Sequence, residues 1–463
     1  MKLYAEIIVN SDALEIDRPF TYKVPHELEE DIKIGQIVKV PFGFGNRYSE
    51  GFVFSIKKEE EACLNFKVKE ISSIENKEPI ITEADIELIN FLRTKYLCKY
   101  IDAFRLLIPT GILKGAKSKS KKVIAFIDDD LSKFKSKDGY TEIIDFIKSN
   151  SGVYTKAELT KNHSISLYKL NKLIENGNLL VEEETVYRYN DRIYIKDNEK
   201  ELTFEQKNVI EEFLNSKKNI FLLKGVTGSG KTEVYMRLVE KTLSENKSAI
   251  ILVPEISLTP QMIERFKGRF GRDVALFHSK LSDGERFDEW YRVRQGKARL
   301  IVGARSAIFL PAKNLGLIII DEEHENTYKS EQNPKYQTKE VAEFISNQRG
   351  CKVILGSATP SIENYYRAIT GEIELLELKN RVDNKEMPPM QVIDMREELR
   401  SGNKSLFSRE LYKSINETLS KGEQVILFLI EEGFLLLFLV EVVVMYLNVR
   451  NVIFQWHIIR MVF

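Results

Sequence analysis

The segment NIFLLKGVTGSGKTEVYMRLVEKTL, residues 219–243, joins a run of apolar residues to a helical pattern through a loop rich in glycine. Its central part, GVTGSGKT at 225–232, matches the pattern G-x-x-x-x-G-K-[ST]. Glycines at this spacing allow backbone N–H groups to approach phosphate oxygens, and the N-terminus of the following helix attracts anions. The segment therefore predicts a strand, a phosphate-binding loop and a helix of a parallel α/β lobe.

The loop supplies most of the predicted nucleotide ligands. We expect the Lys231 ammonium to reach the β- and γ-phosphates and the Thr232 hydroxyl to ligate Mg²⁺. The residues of the loop that are predicted to bind ATP are Gly225, Thr227, Gly228, Ser229, Gly230, Lys231 and Thr232.

An acidic run, DEEH at 321–324, directly follows the apolar run LGLIII. In a parallel sheet the carboxyl ends of the strands meet at one edge, so this run is expected beside the phosphate loop, on a neighbouring strand. We predict that Asp321 binds Mg²⁺ together with Thr232, and that Glu322 polarises the attacking water. Lys231, Asp321 and Glu322 are therefore the predicted catalytic residues.

Three further segments end apolar runs with hydroxyl-bearing residues: VPEISLTPQ at 253–261, VGARSAIFLP at 302–311 and GSATPS at 356–361. Apolar runs that alternate with helical patterns predict a parallel sheet covered by helices on both faces. Hydroxyls, N–H groups and Arg305 along one sheet edge can follow the phosphates of a nucleic-acid strand. We expect Ser357 and Thr359 to carry the nucleotide state to that surface.

The residues before 199 have a different character. Short runs such as FTYKVP and GQIVKVPFG predict a β-rich domain, followed by a helical stretch, up to about residue 110. Residues 140–190 predict short helices and then a β-ribbon, the outline of a winged helix, which serves DNA in some proteins and only protein in others. The lysines in KGAKSKSKK, 114–122, fit a solvated linker and a phosphate-contacting strip about equally.

The bulk composition limits the class of protein. With 463 residues, the chain has room for about three domains. The 69 basic and 69 acidic residues cancel, so any surface for nucleic acid must be a local patch. The three cysteines lie far apart, which predicts neither a disulfide framework nor a metal site and fits a reducing compartment. The N-terminus lacks a signal-peptide layout, and we expect a cytoplasmic protein without a membrane partner.

Taken in order, these motifs resemble those of superfamily 2 helicases. In their residues they are more closely similar to the replication-restart DNA helicases of the primosome, on the segments GVTGSGKTEVY, LVPEISLTPQ, FHSKLSDGER, VGARSAIFLP, IIIDEEHENTYK and LGSATPS. The resemblance implies an α/β multidomain fold, with a RecA-like ATPase lobe after a small β-rich DNA-binding domain and a winged-helix domain. It also implies ATP-dependent unwinding with 3′–5′ polarity at stalled or branched replication forks.

The resemblance carries further expectations about ligands. It implies ATP and Mg²⁺ as cofactors, zinc as a structural metal, and an adenine-sensing role for Gln206. It implies forked and single-stranded DNA, a single-stranded-DNA-binding protein and helicase-loading proteins as partners. His324 and Tyr336 would couple DNA binding to hydrolysis, within a segment where Lys339 replaces the usual arginine, although lysine cannot form arginine's bidentate fork.

The N-terminal segments DRPFTYKVP and GQIVKVPFG are similar to the domain of that family that captures the 3′ end of a nascent strand. The resemblance places the pocket for this end on Phe20, Tyr22, Gly43 and Lys67. Thr21 departs from the family pattern, because many members have aspartate between the two aromatic residues.

The last residues, 430–463, are mostly aliphatic and lack lysine, unlike the rest of the chain. In the family, GEQVILFL continues as Asn-Arg-Arg-Gly-Phe or Tyr, and a one-nucleotide deletion in codons for that sequence yields IEEGF, as found at 430–434. We hypothesise that 430–463 is an out-of-frame reading of the zinc-binding block, with a divergent genuine terminus as the alternative. The zinc cysteines and the second lobe would then be missing, so we expect DNA binding and weak ATP binding without unwinding.

Three function classes remain open on the sequence: an ATP-driven helicase, a fork-binding module with an inert ATPase lobe, and a nucleotide switch that does not bind DNA. The predicted organisation is a β-rich 3′-end-binding domain, a basic linker with a winged helix, ATPase lobe 1, the start of lobe 2, and the aliphatic tail. Their predicted bounds are 1–110, 111–198, 199–380, 381–429 and 430–463.

Overall fold

The structure is a computed structural model that describes residues 2–427, apart from 12, 44–46, 60–67, 114–118, 133, 135–137, 187–193, 258 and 384–387. The chain divides into two compact units, residues 1–384 and residues 385–463. The predicted tail at 430–463 lies outside the described residues, so the hypothesis about its reading frame is untouched by the structure.

The N-terminal part is a five-stranded antiparallel sheet of order β2-β1-β4-β3-β5. Its strands are β1 Lys2–Val9, β2 Phe20–Lys23, β3 Ile37–Pro41, β4 Tyr48–Glu59 and β5 Ser73–Ile74. Apolar residues such as Val38 and Val40 alternate along β3 and enter the core. Gly51 is required on β4 because a Cβ there would lie 2.4 Å from the Ile7 side chain. The predicted small β-rich domain is confirmed.

Three helices connect this sheet to the ATPase-like lobe. They are α1 Glu83–Tyr96, α2 Tyr100–Leu107 and α3 Thr110–Leu113. Thr82 forms a capping box with Asp85 at the start of α1. Phe104 on α2 stacks on Phe52 of the sheet at 4.6 Å between ring centroids, and Phe91 on α1 stacks on Phe344 of the lobe at 4.3 Å. Both parts therefore share one apolar core.

Residues 119–186 form a small module with its own core. Strands β6 Lys119–Phe126 and β7 Leu179–Val186 pair in antiparallel register. Between them in the chain lie helices α4 Thr141–Ser149, α5 Lys156–Asn162 and α6 Leu167–Glu175, which share an apolar core with the two strands. The prediction of a ribbon after the helices was wrong in one respect, because the partner of β7 precedes the helices in the chain. The described lysines of the predicted linker lie in this strand, where Lys121 and Lys122 stand opposite Glu184 and Glu183.

The lobe contains a seven-stranded parallel sheet of order β10-β11-β9-β12-β13-β8-β14. Its strands are β8 Ile220–Gly225, β9 Ser248–Leu252, β10 Val274–Phe277, β11 Leu300–Gly303, β12 Leu315–Asp321, β13 Lys352–Ser357 and β14 Glu374–Leu378. Every residue of β9 and β11 is buried, which explains their continuous apolar sequences. The predicted parallel sheet is confirmed.

Helices cover both faces of this sheet. They are α7 Phe204–Asn215, α8 Lys231–Ser244, α9 Pro260–Phe270, α10 Asp283–Gln295, α11 Thr338–Arg349 and α12 Ile362–Ile369. Two separate apolar clusters lie on the opposite faces, one that includes Ile318 and Leu355 and one that includes Ile319 and Ile354. The alternation of these neighbouring residues follows from the two-residue period of a strand.

The second unit contributes two described helices, α13 Met395–Arg400 and α14 Arg409–Ser420. The Asn403 side-chain amide donates to the Phe407 carbonyl at 3.0 Å and so fixes the turn between them. Across the described part of the chain, no helix is both long and apolar enough to cross a membrane.

Candidate nucleotide and DNA sites

The predicted phosphate loop lies between the end of β8 and the start of α8. Gly228 and Gly230 have φ values of 84° and 81°, a left-handed conformation that favours glycine, so their place in the motif has a steric reason. The Lys231 ammonium donates to the Gly225 carbonyl at 2.9 Å and thereby closes the loop. Residues 225–232 therefore form a compact loop at the N-terminus of α8.

Gln206, the predicted adenine-sensing residue, is 2% exposed, and both the oxygen and the nitrogen of its side-chain amide are hydrogen-bonded. Its side-chain amide donates to the Ser229 carbonyl at 2.9 Å, and its side-chain oxygen accepts from the Thr203 N–H at 3.0 Å. A Cβ on Gly230 would lie 2.3 Å from the Gln206 amide nitrogen. In this structure Gln206 therefore connects the start of α7 to the phosphate loop.

Asp321 ends β12, but its strand is not a neighbour of the loop strand. The prediction of adjacent strands was wrong: β13 lies between β12 and β8, because strand order is set by long-range packing that a local pattern does not encode. Asp321 nonetheless interacts with the phosphate-loop helix. Its Oδ1 accepts a hydrogen bond from the Tyr235 hydroxyl on α8 at 2.9 Å.

The electrostatics at Asp321 favour a cation. Burial and then the neighbouring charge of Glu322 raise the pKa of Asp321 to about 6, while the bond from Tyr235 and the charge of Lys231 oppose the rise. A buried carboxylate beside a second carboxylate gains when a cation binds. Carboxylate and hydroxyl oxygens are also the donors that Mg²⁺ prefers. The Asp321 carboxylate and the Thr232 hydroxyl therefore have the donor chemistry that a magnesium ion requires.

Glu322, the predicted water-polarising residue, has a φ of 47°, which is uncommon for a residue with a side chain. About one third of its side chain is exposed, and its Oε2 lies 3.8 Å from His324 Nδ1. Such strained positions occur often at functional sites, but strain alone does not assign a role.

Glu323 is a site residue that the sequence analysis did not single out. It is completely buried and accepts from the Lys339 ammonium at 2.8 Å, the Asn364 amide at 2.7 Å and the Ser361 N–H at 2.6 Å. Burial raises its pKa, but the bonds from Lys339 and Ser361 hold the net pKa below the ordinary value. Lys339 therefore serves as the counter-ion of this carboxylate.

Three of the four predicted coupling residues come together. His324 Nδ1 lies 2.8 Å from the Ser357 hydroxyl, and the Thr359 N–H donates to the same hydroxyl at 2.9 Å. The end of β12 and the end of β13 are thus connected through side chains. These contacts link the acidic run directly to the segment GSATPS.

Tyr336 and Arg305 form a second group on the same side of the lobe. Tyr336 is buried, packs edge-on against Phe309 at 4.9 Å, and burial raises its pKa to about 12. Arg305 donates to the carbonyls of Lys329 at 2.5 Å and Thr327 at 3.2 Å. The predicted DNA-contacting arginine therefore fixes the segment that follows the acidic run.

The predicted 3′-end pocket is a cavity of about 230 Å³ on the N-terminal sheet. It is lined by Phe20, Thr21, Tyr22, Pro41, Phe42, Gly43, Val68 and Lys69. The Phe20 and Phe42 rings meet edge to face at 5.1 Å between centroids. Tyr22 is buried, its hydroxyl donates to the Pro41 carbonyl at 3.3 Å, and burial raises its pKa to about 12.

Among the described residues, the cation that lines this pocket is Lys69, which the sequence analysis did not name. Its ammonium donates to the Gly43 carbonyl at 3.3 Å. Lys67, the residue predicted for this place, lies outside the described residues. The segment FKVKE offers two lysines two positions apart, and residues two apart point to the same side of an extended chain, so the sequence did not separate them.

The family resemblance implies a zinc site, but the described part of the chain does not contain a set of zinc ligands. Among those residues no group of three or more His, Cys, Asp or Glu side chains is arranged to hold a metal ion.

Comparison with known families agrees with this arrangement. Residues 203–368 match the model of the DEAD/DEAH box helicases, and residues 6–109 match the model of the 3′ DNA-binding domain of PriA. By fold and site the lobe therefore belongs to the helicase class.

Curated relatives identify the family more closely. The chain is 40% identical to the replication restart protein PriA of Bacillus subtilis, over 93% of this chain and 62% of the relative. It is 33% identical to PriA of Chlamydia trachomatis, over 94% of this chain and 59% of the relative. The chain belongs to the PriA family of replication restart proteins, and it spans about three-fifths of the length of these relatives.

Among solved structures, RecG bound to a three-way DNA junction is similar over 48% of this chain and 28% of that chain, with 24% identity and a TM-score of 0.33. A similarity at this level adds nothing to the assignment.

Proposed function

We propose that this chain provides the ATP-binding lobe and the 3′-end-binding domain of an ATP-dependent, 3′–5′ DNA helicase that restarts replication at stalled or branched forks. One observation carries the proposal. The same compact unit contains a folded phosphate loop, with a buried carboxylate in contact with its helix, and an aromatic pocket on a sheet that matches a 3′ DNA-binding domain.

The phosphate loop would hold the nucleotide. Lys231 now donates to the Gly225 carbonyl and would exchange this bond for phosphate oxygens, a charge-assisted and stronger interaction. Asp321 and Thr232 would hold Mg²⁺, which when bound neutralises charge on the phosphate groups. Glu322 would orient the attacking water and accept its proton.

The aromatic pocket would hold the terminal nucleotide of a DNA strand. The Phe20 and Phe42 rings offer an apolar surface for a base, and Lys69 supplies a positive charge beside the backbone of Gly43. The cavity of about 230 Å³ has room for one base rather than for a continuous strand. A pocket with room for a single base would favour a free end over an internal segment of a strand.

The nucleotide site would communicate with the DNA-binding surface at the strand ends of the lobe through the ends of β12 and β13. The contacts from His324 to Ser357 and from Glu323 to Ser361 connect the acidic run to the segment GSATPS. A change at Asp321 on nucleotide binding would therefore be transmitted to α12 and, through Lys339, to α11.

Three finer assignments belong to this proposal. The module at 119–186 would be a winged helix that contacts DNA. The protein partners would be a single-stranded-DNA-binding protein and helicase-loading proteins. Residues 430–463 would be an out-of-frame reading of the zinc-binding block, which the nucleotide sequence around codon 430 tests directly. Cysteine codons in the alternate frame beneath Val440, Val443, Val449 and Val452 support this assignment, and their absence contradicts it.

The decisive experiment measures binding of the purified chain to a forked oligonucleotide and its DNA-dependent ATP hydrolysis. We expect tighter binding to forks with a free nascent 3′ end than to forks with that end blocked, and an affinity that changes when ATP and Mg²⁺ are added. Equal binding to blocked and free ends contradicts the pocket assignment. A DNA affinity that is independent of nucleotide supports a fork-binding module with an inert ATPase lobe.

A further inference from the structure

The helix that follows the phosphate loop places a tyrosine against the predicted metal ligand. Tyr235 lies one turn after Lys231 on α8 and is completely buried. Its ring packs in the apolar cluster between α8 and the sheet, together with residues such as Leu223 and Ile319. The hydroxyl is the only polar atom of this side chain, and it donates to Asp321 Oδ1 at 2.9 Å.

The intervening strand leaves room for this bond. Because β13 lies between β8 and β12, a line from α8 to Asp321 passes the backbone of Gly356. A Cβ on Gly356 would lie 1.8 Å from the Tyr235 hydroxyl oxygen and 3.5 Å from Asp321 Oδ1. Any other residue at this position would displace the hydroxyl. Glycine is therefore needed at position 356 because a side chain would collide with the Tyr235 hydroxyl, and not because of its backbone conformation.

Packing alone does not require the hydroxyl. A phenylalanine at position 235 would fill almost the same volume, and a buried tyrosine costs free energy unless its hydroxyl finds a partner. Here the partner is the side chain of the predicted Mg²⁺ ligand. A hydrogen bond to one carboxylate oxygen restricts rotation of the carboxylate and presents it in one orientation, as outer partners of metal ligands do.

A second tyrosine at the same strand end provides a contrast. The Tyr328 hydroxyl lies 2.6 Å from the Asp321 carbonyl and 3.0 Å from the Leu252 carbonyl. It holds the backbone of the strand end and does not contact the Asp321 carboxylate.

We infer that Tyr235 is a positioning residue that orients the Asp321 carboxylate for Mg²⁺. The absence of a side chain at Gly356 leaves the space that the Tyr235 hydroxyl needs to reach Asp321. This inference rests on the proposed function of Asp321. It concerns the affinity for the cation, and binding alone can test it.

The test compares the unmodified chain with the variants Tyr235→Phe, Tyr328→Phe, Gly356→Ala and Asp321→Asn. The readouts are the affinity for a fluorescent ADP analogue with Mg²⁺ and with EDTA, and the affinity for Mn²⁺ by electron paramagnetic resonance in the presence of ADP. ADP prevents turnover, so neither readout depends on activity. Circular dichroism on thermal unfolding shows that each variant is folded.

We expect Tyr235→Phe to weaken Mn²⁺ binding by about 10–100-fold and to leave ADP binding in EDTA within about twofold of the wild type. Tyr328→Phe should retain the wild-type dependence on the cation. Gly356→Ala should weaken Mn²⁺ binding in the same direction as Tyr235→Phe, because it displaces the hydroxyl.

Two results overturn the inference and are distinguishable. If Asp321→Asn abolishes the cation dependence but Tyr235→Phe does not change it, Tyr235 has only a packing role and the proposed function stands. If Asp321→Asn itself has no effect, or if the wild type shows no cation dependence, the assignment of Asp321 fails together with the inference.

Discussion

The ATP-binding lobe and the 3′-end pocket are built in different ways. In the lobe, the proposed ligands lie at or just after the ends of largely buried parallel strands, and hydrogen bonds fix Lys231 and Asp321. In the pocket, an antiparallel sheet contributes Phe20 and Tyr22, whereas Gly43 and Lys69 come from the segments that flank its strands. The lobe site depends on buried charge and sheet topology, and the pocket depends on buried or half-buried rings and one lysine.

This difference predicts where substitutions act. In the lobe, the removal of one charge leaves another charge buried and unpaired, so stability and ligand binding should both suffer. In the pocket, a substitution removes a contact with DNA and should change affinity with little effect on folding.

The largest effect should come from Lys339→Met. Glu323 is completely buried, and loss of the ammonium at 2.8 Å leaves its charge without a counter-ion. We expect a loss of about 3 kcal/mol in the free energy of unfolding, measured by urea denaturation. The matched control is Lys95→Met, whose partner Glu340 at 3.0 Å is well exposed, with an expected loss below about 1 kcal/mol. Equal losses in both variants would show that Lys339 has no special role.

The same carboxylate predicts a dependence on pH. The pKa of Glu323 is lower in the folded protein than the ordinary value of 4.5, so its contribution to stability is complete above that value and is lost as the pH falls through the lower folded pKa. The variant Glu323→Gln should therefore lose less stability than the wild type when urea denaturation is repeated below pH 4.5. A parallel decline of both proteins contradicts the assignment.

Lys231→Ala should weaken the binding of ADP and Mg²⁺ by about 10–100-fold, because it removes a charge-assisted bond to phosphate. The control is Lys224→Ala on β8, the strand that leads into the loop, where the ammonium lies 3.5 Å from Glu377. Isothermal titration calorimetry measures the binding of ADP and Mg²⁺ to both variants. Binding to single-stranded DNA in the absence of nucleotide should not change, and a loss there would mean that the substitution has disturbed the fold.

Phe20→Ala should weaken the binding of single-stranded DNA with a free 3′ end by about 10-fold, the usual effect of losing one base-stacking ring. Fluorescence anisotropy with free and 3′-blocked oligonucleotides measures it, and binding of the blocked strand should be unaffected. Tyr48→Ala removes an exposed ring from β4 of the same sheet, outside the pocket, and should have no effect. The pocket assignment fails if both variants behave alike.

The smallest effect distinguishes the two lysines of FKVKE. Lys69→Ala should reduce binding of the free 3′ end about fivefold, since one charged contact contributes on the order of 1 kcal/mol at a partly exposed site. Lys67→Ala should have a smaller effect in the same anisotropy assay. The reverse order would restore the residue that the sequence resemblance favoured.

The same contrast explains what the sequence could reveal. The parallel sheet and the phosphate loop were predictable because buried strands have continuous apolar sequences and because only glycine adopts the backbone of Gly228 and Gly230 easily. The antiparallel N-terminal sheet was predictable from its alternation.

Long-range pairing was not predictable. No local pattern places β13 between β8 and β12, and none shows that Lys339 reaches Glu323 sixteen residues away. The lysines of 114–122 predict an exposed linker, but residues 119–122 begin the strand Lys119–Phe126, whose acidic partner lies on the other side of three helices. Whether 119–186 is a winged helix stays a prediction.

The decisive measurement is a crystal structure of this chain with ADP, Mg²⁺ and a phosphate analogue. We expect the nucleotide phosphates to bind the backbone amides of 225–232 and the cation to contact the Thr232 hydroxyl. We also expect the Asp321 carboxylate to reach the cation directly or through one water while it still accepts from Tyr235. Phosphates bound elsewhere, or a cation with no path to Asp321, would contradict it.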